Sequence, residues 1–164
     1  MPDLISHTAS VFLARNFFSK FSVFKGNYFT IVLFGVIMPD LIARPAWIVS
    51  NQLFLSVQFF HTPIACFMQT ILISCCFNTR QRVTVFYALN IGWVIHQAFD
   101  LLQLAPTKYY YIFWPLYDQP ITLGLFLVEN WPWVALLTVL MAVLTSEKLL
   151  FRIKRFFCTN DLHQ

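Results

Sequence analysis

His96 and Asp100 stand four residues apart in the stretch NIGWVIHQAFDLL, residues 90–102. On a helix this spacing is one turn, about 6 Å of rise and roughly 40° of rotation, so the two side chains can meet at one point. Imidazole nitrogen and carboxylate oxygen held in that way suit zinc, iron or manganese, and need only one or two further ligands from neighbouring segments. Asp40 and His61, each in a different apolar stretch, are the candidate donors. Asn90, Gln97 and Gln103 widen the polar stripe around His96. A lone H-x-x-x-D pair can equally be a hydrogen bond on a helix surface, and Asp40 with Arg44, also four apart, reads equally as a buried ion pair. What points to a metal is the convergence of such groups from three apolar stretches.

Those stretches belong to a membrane protein. Of 164 residues 59% are apolar and only 11% charged, with 19 phenylalanines and a mean hydropathy of +0.66. An ordinary soluble domain is roughly 25% charged, and one this small leaves too much surface in water to hide so many apolar side chains. Crossings of about 20 apolar residues are expected at 28–49, 52–77, 83–104 and 132–150. The expected fold is one all-α domain over 1–164: a polytopic transmembrane helical bundle of four crossings, with a short N-terminal helical segment at 4–19, re-entrant in one reading, and an interfacial loop at 105–131. That loop is rich in Tyr and Trp, which settle at the headgroup level. Arg80, Arg82 and the basic run after residue 147 read as cytoplasmic topology signals, as do Arg15, Lys20 and Lys25. Both termini are therefore expected in the cytoplasm, with Asp40, His61, His96 and Asp100 in the outer half of the bilayer. Intramembrane ionisable groups are functional by default, and Pro39 and Pro63 free backbone groups beside two of them.

Other chemistry is thinly signalled. Cys66, Cys75, Cys76 and Cys158 show no C-x-x-C spacing, so they read as small apolar side chains and indicate neither a zinc cluster nor a disulfide framework. The basic residues flank apolar runs, so the +4 net charge predicts no nucleic-acid partner. No cleavable signal peptide is expected. Serine-hydrolase, zincin, P-loop and dinucleotide motifs are missing, and the chain has only four glycines.

Taken in order, SHTASVFLAR (6–15), LFGVIMPDLIARP (33–45), FFHTPIACF (59–67) and GWVIHQAFDLLQLAPTKYYYIFWPLYD (92–118) resemble the membrane-bound metal-dependent hydrolases, also described as LexA-binding, inner-membrane-associated hydrolases. The resemblance covers most of the chain. It implies His7, Asp40, His61, His96 and Asp100 as metal ligands, with Trp114 and Pro115 matching the aromatic Trp-Pro segment. Relatives carry a further acid two or three places after the Pro-Asp aspartate and a histidine five before the second block; this chain has Ile42, Ala43 and Ser56 there. The resemblance thus implies a degenerate or single-metal site.

The function expected on these grounds is metal-dependent hydrolysis, in a bacterial inner membrane, of an ester or phosphoester in an amphipathic or lipid-linked substrate. The cofactor is a divalent ion, zinc first and manganese or iron as alternatives. Asp40 or Asp100 would serve catalysis, and Arg44 and Trp114 would bind substrate. The rivals are a non-enzymatic membrane scaffold with a vestigial site, and a proton or metal-ion transporter using the same groups. A transporter would need a polar path through both leaflets, whereas the polar groups fall mainly in one.

Overall fold

The computed structural model describes residues 4–50, 58–104 and 121–146. The described chain is mostly helical: α1 (Leu4–Phe17), α2 (Gly26–Ile37), α3 (Asp40–Val49), α4 (Pro63–Cys75), α5 (Thr79–Leu102) and α6 (Trp131–Leu144). Two short strands, β1 (Gln103–Leu104) and β2 (Phe126–Leu127), pair in parallel with Gln103 opposite Phe126.

Local chemistry sets the breaks. Gly26 turns the chain into α2 at φ +52°, a left-handed conformation that favours glycine. The expected crossing at 28–49 divides into α2 and α3 at Met38 and Pro39, because proline lacks the N–H a continuous helix needs there and crowds the preceding turn. Before α4, Thr62 caps the helix by accepting a hydrogen bond from the Ala65 N–H at 3.4 Å, and Pro63 occupies the first turn, where its missing N–H costs nothing.

Among the described residues α5 is the one helix long and apolar enough to cross a membrane. Its 24 residues reach about 36 Å at about 1.5 Å per residue. It starts at Thr79, earlier than the expected 83–104. The helices at the other expected crossings are shorter, with 12, 13 and 14 residues in α2, α4 and α6, or about 20 Å each against a hydrocarbon core of about 30 Å. Part of the 52–77 stretch and most of the 105–131 loop lie outside the described residues.

Named contacts fix the relative directions. Phe12 and Arg15 of α1 meet Phe29 near the start of α2, while His7 meets His96 at the far end, so α1 runs antiparallel to α2 and α5. The pairs Phe67–Phe86 and His61–His96 make α4 antiparallel to α5. Asn16 near the end of α1 donates to the Ala142 carbonyl near the end of α6 at 2.7 Å, which aligns those two helices. The closest crossing joins α2 and α5 at Gly35 and Gly92. A Cβ on Gly35 would lie 2.6 Å from the Leu89 carbonyl oxygen, and one on Gly92 would lie 2.7 Å from the Gly35 Cα. Around this crossing Val11, Phe24, Phe29, Val32, Val36 and Ala88 form the apolar core. The outside is apolar as well: Ile48, Leu125 and Trp133 are exposed by 77%, 73% and 72%.

Candidate metal centre

The α2–α5 crossing carries two register-locked turns to one end of the bundle, where the polar groups gather. One turn beyond Gly92, His96 faces the end of α2. Its Nδ1 lies 2.7 Å from the Val36 carbonyl oxygen. A carbonyl only accepts, so Nδ1 carries the proton and the Nε2 lone pair is turned inward. A further turn on, Asp100 arrives on the same face. Pro39 ends the preceding turn and delivers Asp40 as the first residue of α3, while His61 closes a 3₁₀ turn, Gln58–His61, just before α4. Gln97 of α5 holds that turn by donating from Nε2 to the His61 carbonyl at 2.6 Å, and the same nitrogen lies 3.4 Å from His61 Nδ1. His7 comes from α1, its ring stacked on that of His96 with centroids 4.1 Å apart and planes 15° from parallel.

All five groups are buried, His61 the most accessible of them at 7%. Their donor atoms point at one another. His61 Nε2 is 2.9 Å from His96 Nε2, 3.2 Å from Asp100 Oδ2 and 3.5 Å from Asp40 Oδ1. His96 Nε2 is 3.3 Å from Asp100 Oδ2 and 3.9 Å from Asp40 Oδ1. His7 Nε2 is 3.4 Å from Asp100 Oδ1. Ligands about 2.1 Å from a cation stand about 3.4 Å apart in a tetrahedron and about 3.0 Å apart along an octahedral edge. The separations found span that range.

A hydrogen-bond network explains the cluster less well. Both nitrogens of His7, Asp40 Oδ1 and both oxygens of Asp100 are buried without a hydrogen-bond partner. Unpaired buried polar groups are rare because each forfeits its hydration. A divalent cation would satisfy carboxylate and imidazole lone pairs together, so the residues fit one. Two mutually close sets, His7 with Asp40 and His96, and His61 with His96 and Asp100, could each hold an ion.

The structure therefore brings together all five expected ligands, including His7, which the residue spacing alone did not point to. Arg44 sits beside the cluster, its Nε 2.5 Å from Asp40 Oδ2, so it ties down the oxygen that faces away from His61. Trp114 and Pro115 lie outside the described residues. Two supporting groups had no sequence signal as such: the Val36 carbonyl, a backbone atom, and Gln97, whose polarity was visible but whose target on another helix was not. An apolar cavity of about 560 Å³ between α1 and α6 is lined by Leu4, Thr8, Phe12, Val139 and Val143 among others, and none of the five cluster residues forms its wall.

An apolar-surfaced helical bundle with a buried histidine and aspartate cluster at one end defines a membrane protein with a candidate metal site. The chain belongs to the YdjM inner membrane protein family, whose model matches residues 1–159. No curated protein and no solved structure matches it.

Proposed function

We propose that this chain is a membrane-embedded metal-dependent hydrolase acting on an ester or phosphoester of an amphipathic or lipid-linked molecule. The observation that carries the reading is the set of buried imidazoles and carboxylates converging from α1, α3, the turn before α4, and α5, in which the nitrogens of His7, Asp40 Oδ1 and both Asp100 oxygens have no hydrogen-bond partner. A bound cation would bring the water of its open position toward ionisation near neutral pH and polarise the substrate oxygen. The chain's own groups orient the reaction. Val36 and Gln97 fix the two imidazoles, and Arg44 holds Asp40 through Oδ2, leaving Oδ1 directed at the cluster. The guanidinium, a third exposed, is the positive charge beside the cluster that an anionic substrate group would meet. Asp40 and Asp100 are the carboxylates placed to accept a proton.

The orientation we adopt differs from one with both termini in the cytoplasm. Arg15, Lys20 and Lys25 surround the α1–α2 connection, and Arg80 and Arg82 start α5; each lies at the end away from His96. By the positive-inside rule that end is cytoplasmic. The start of α1, which carries His7 to the cluster, then lies on the outer side with the site.

The test is metal content and turnover together. Purified protein is expected to hold zinc, manganese or iron, and to cleave short-chain phosphoesters in mixed micelles in a chelator-sensitive way. His96→Ala is expected to lose both properties while retaining helical circular dichroism. A folded, metal-free wild type would instead favour the scaffold, and metal-ion flux in liposomes the transporter.

A further inference from the structure

We infer that the cluster holds two cations bridged by Asp100, and that His7 belongs to the second. This rests on the metal-site reading above and concerns how many ions that site takes. The two oxygens of Asp100 face different partners: Oδ2 lies 3.2 Å from His61 Nε2 and 3.3 Å from His96 Nε2, whereas Oδ1 lies 3.4 Å from His7 Nε2. With Asp40 Oδ1, at 3.5 Å from His61 and 3.9 Å from His96, the first group already makes a four-ligand N₂O₂ set. His96 cannot serve a second ion, because its Nδ1 is committed to the Val36 carbonyl.

One cation in the four-ligand set leaves Asp100 Oδ1 and His7 Nε2, 3.4 Å apart, buried with no hydrogen-bond partner. A second cation on the other side of the carboxylate satisfies both, and the ligand atoms of His7 and Asp40 lie within 4.8 Å of each other. The second position then has His7, Asp100 and a shared Asp40, fewer protein donors than the first. With fewer protein donors it is the one that would keep a coordination position for water, as catalytic sites do. Carboxylate-bridged pairs of this kind clamp the attacking and leaving oxygens of a displacement. The absence of acids at Ile42 and Ala43 and of a histidine at Ser56 does not then reduce the site to a single ion, since the second ligand set is drawn from α1.

The test counts ions. Detergent-purified protein saturated with Zn²⁺ or Mn²⁺, freed of excess and analysed by mass spectrometry, is expected to carry two per chain, and His7→Ala one per chain with unchanged helical circular dichroism. In the wild type, Mn²⁺ electron paramagnetic resonance is expected to show the coupled spectrum of a bridged pair, a readout that needs no variant. One ion per chain with an isolated-ion spectrum, or two ions retained in His7→Ala, would overturn the inference while leaving the hydrolase reading in place. A wild type that binds none would remove both.

Discussion

An imidazole makes a good ligand when its other nitrogen and its ring plane are held, and here the holding groups are the Val36 carbonyl and the Gln97 amide. Gln97 is the more easily tested. Gln97→Leu keeps the volume but removes the hydrogen bond to the His61 carbonyl, at a cost of about 1 kcal/mol. It also releases the turn that presents His61. Loss of such a support lowers metal affinity about 10–100-fold, so competition with a chromophoric chelator is expected to find Gln97→Leu weaker by that factor. Thr138→Val, which removes a hydroxyl bonded within α6 to the Val134 carbonyl, should leave affinity unchanged. Equal affinities in wild type and Gln97→Leu would deny the amide this role. The candidate ligands were legible because charged groups in apolar runs stand out against their surroundings. Asp40, His61, His96 and Asp100 declare themselves by dehydration cost alone. His7 sits near the start of the chain, within a segment of mixed character, and only a resemblance pointed to it. The supports were not legible, since a carbonyl has no sequence signature and a glutamine in a helix does not name its partner.

At the scale of elements, the site depends on how closely two helix backbones approach. Gly35 and Gly92 are in mutual contact, and a Cβ on Gly92 would also collide with the Val32 carbonyl oxygen. Backbone cannot rotate away, so Gly92→Ala must push α2 from α5. Overpacking of this kind costs about 1–3 kcal/mol, and the separation falls one turn from the Val36–His96 hydrogen bond. The expected result is a lower thermal midpoint together with weaker metal binding. Gly26→Ala is the contrast: nothing lies within 4 Å of a Cβ there, and the change strains only φ, so stability should fall while metal affinity holds. If Gly92→Ala binds metal as well as wild type does, the crossing does not set the site. Apolar length predicted where helices would be, and α5 and α6 lie where it indicated. It could not predict that 28–49 would break at Pro39, because a proline inside a lipid-facing run either kinks a helix or ends it. Here the end is used, since it turns Asp40 inward.

For the molecule as a whole, an apolar exterior and an uneven distribution of charge together specify an environment. Leu72, Leu125, Trp133 and Ile48 are all well exposed, an apolar exterior in keeping with the inner membrane protein family to which the chain belongs. Arg15, Lys20, Lys25, Arg80 and Arg82 collect at one end while the cluster occupies the other, the charge asymmetry on which the proposed outward-facing site rests. Sequence patterning sets both termini in the cytoplasm when 4–19 is read as a short, re-entrant segment, and the proposed orientation instead counts that segment as a crossing. The contacts of His7 with His96 at one end of α1 and of Asn16 with Ala142 at the other lay its 14 residues alongside α5 and α6. Cysteine labelling separates the two topologies. The Leu123 N–H donates to the Leu101 carbonyl at 2.7 Å, so residue 123 is held at the end of α5 that bears Asp100, and its side chain is exposed. Cys75 and Cys76 are exposed at the opposite end. With Cys158 replaced by serine, a membrane-impermeant maleimide added to spheroplasts is expected to label Leu123→Cys at once and Cys75 or Cys76 only after lysis. The reverse order of labelling would turn the site toward the cytoplasm, and the substrate would then have to be sought among molecules of the inner leaflet.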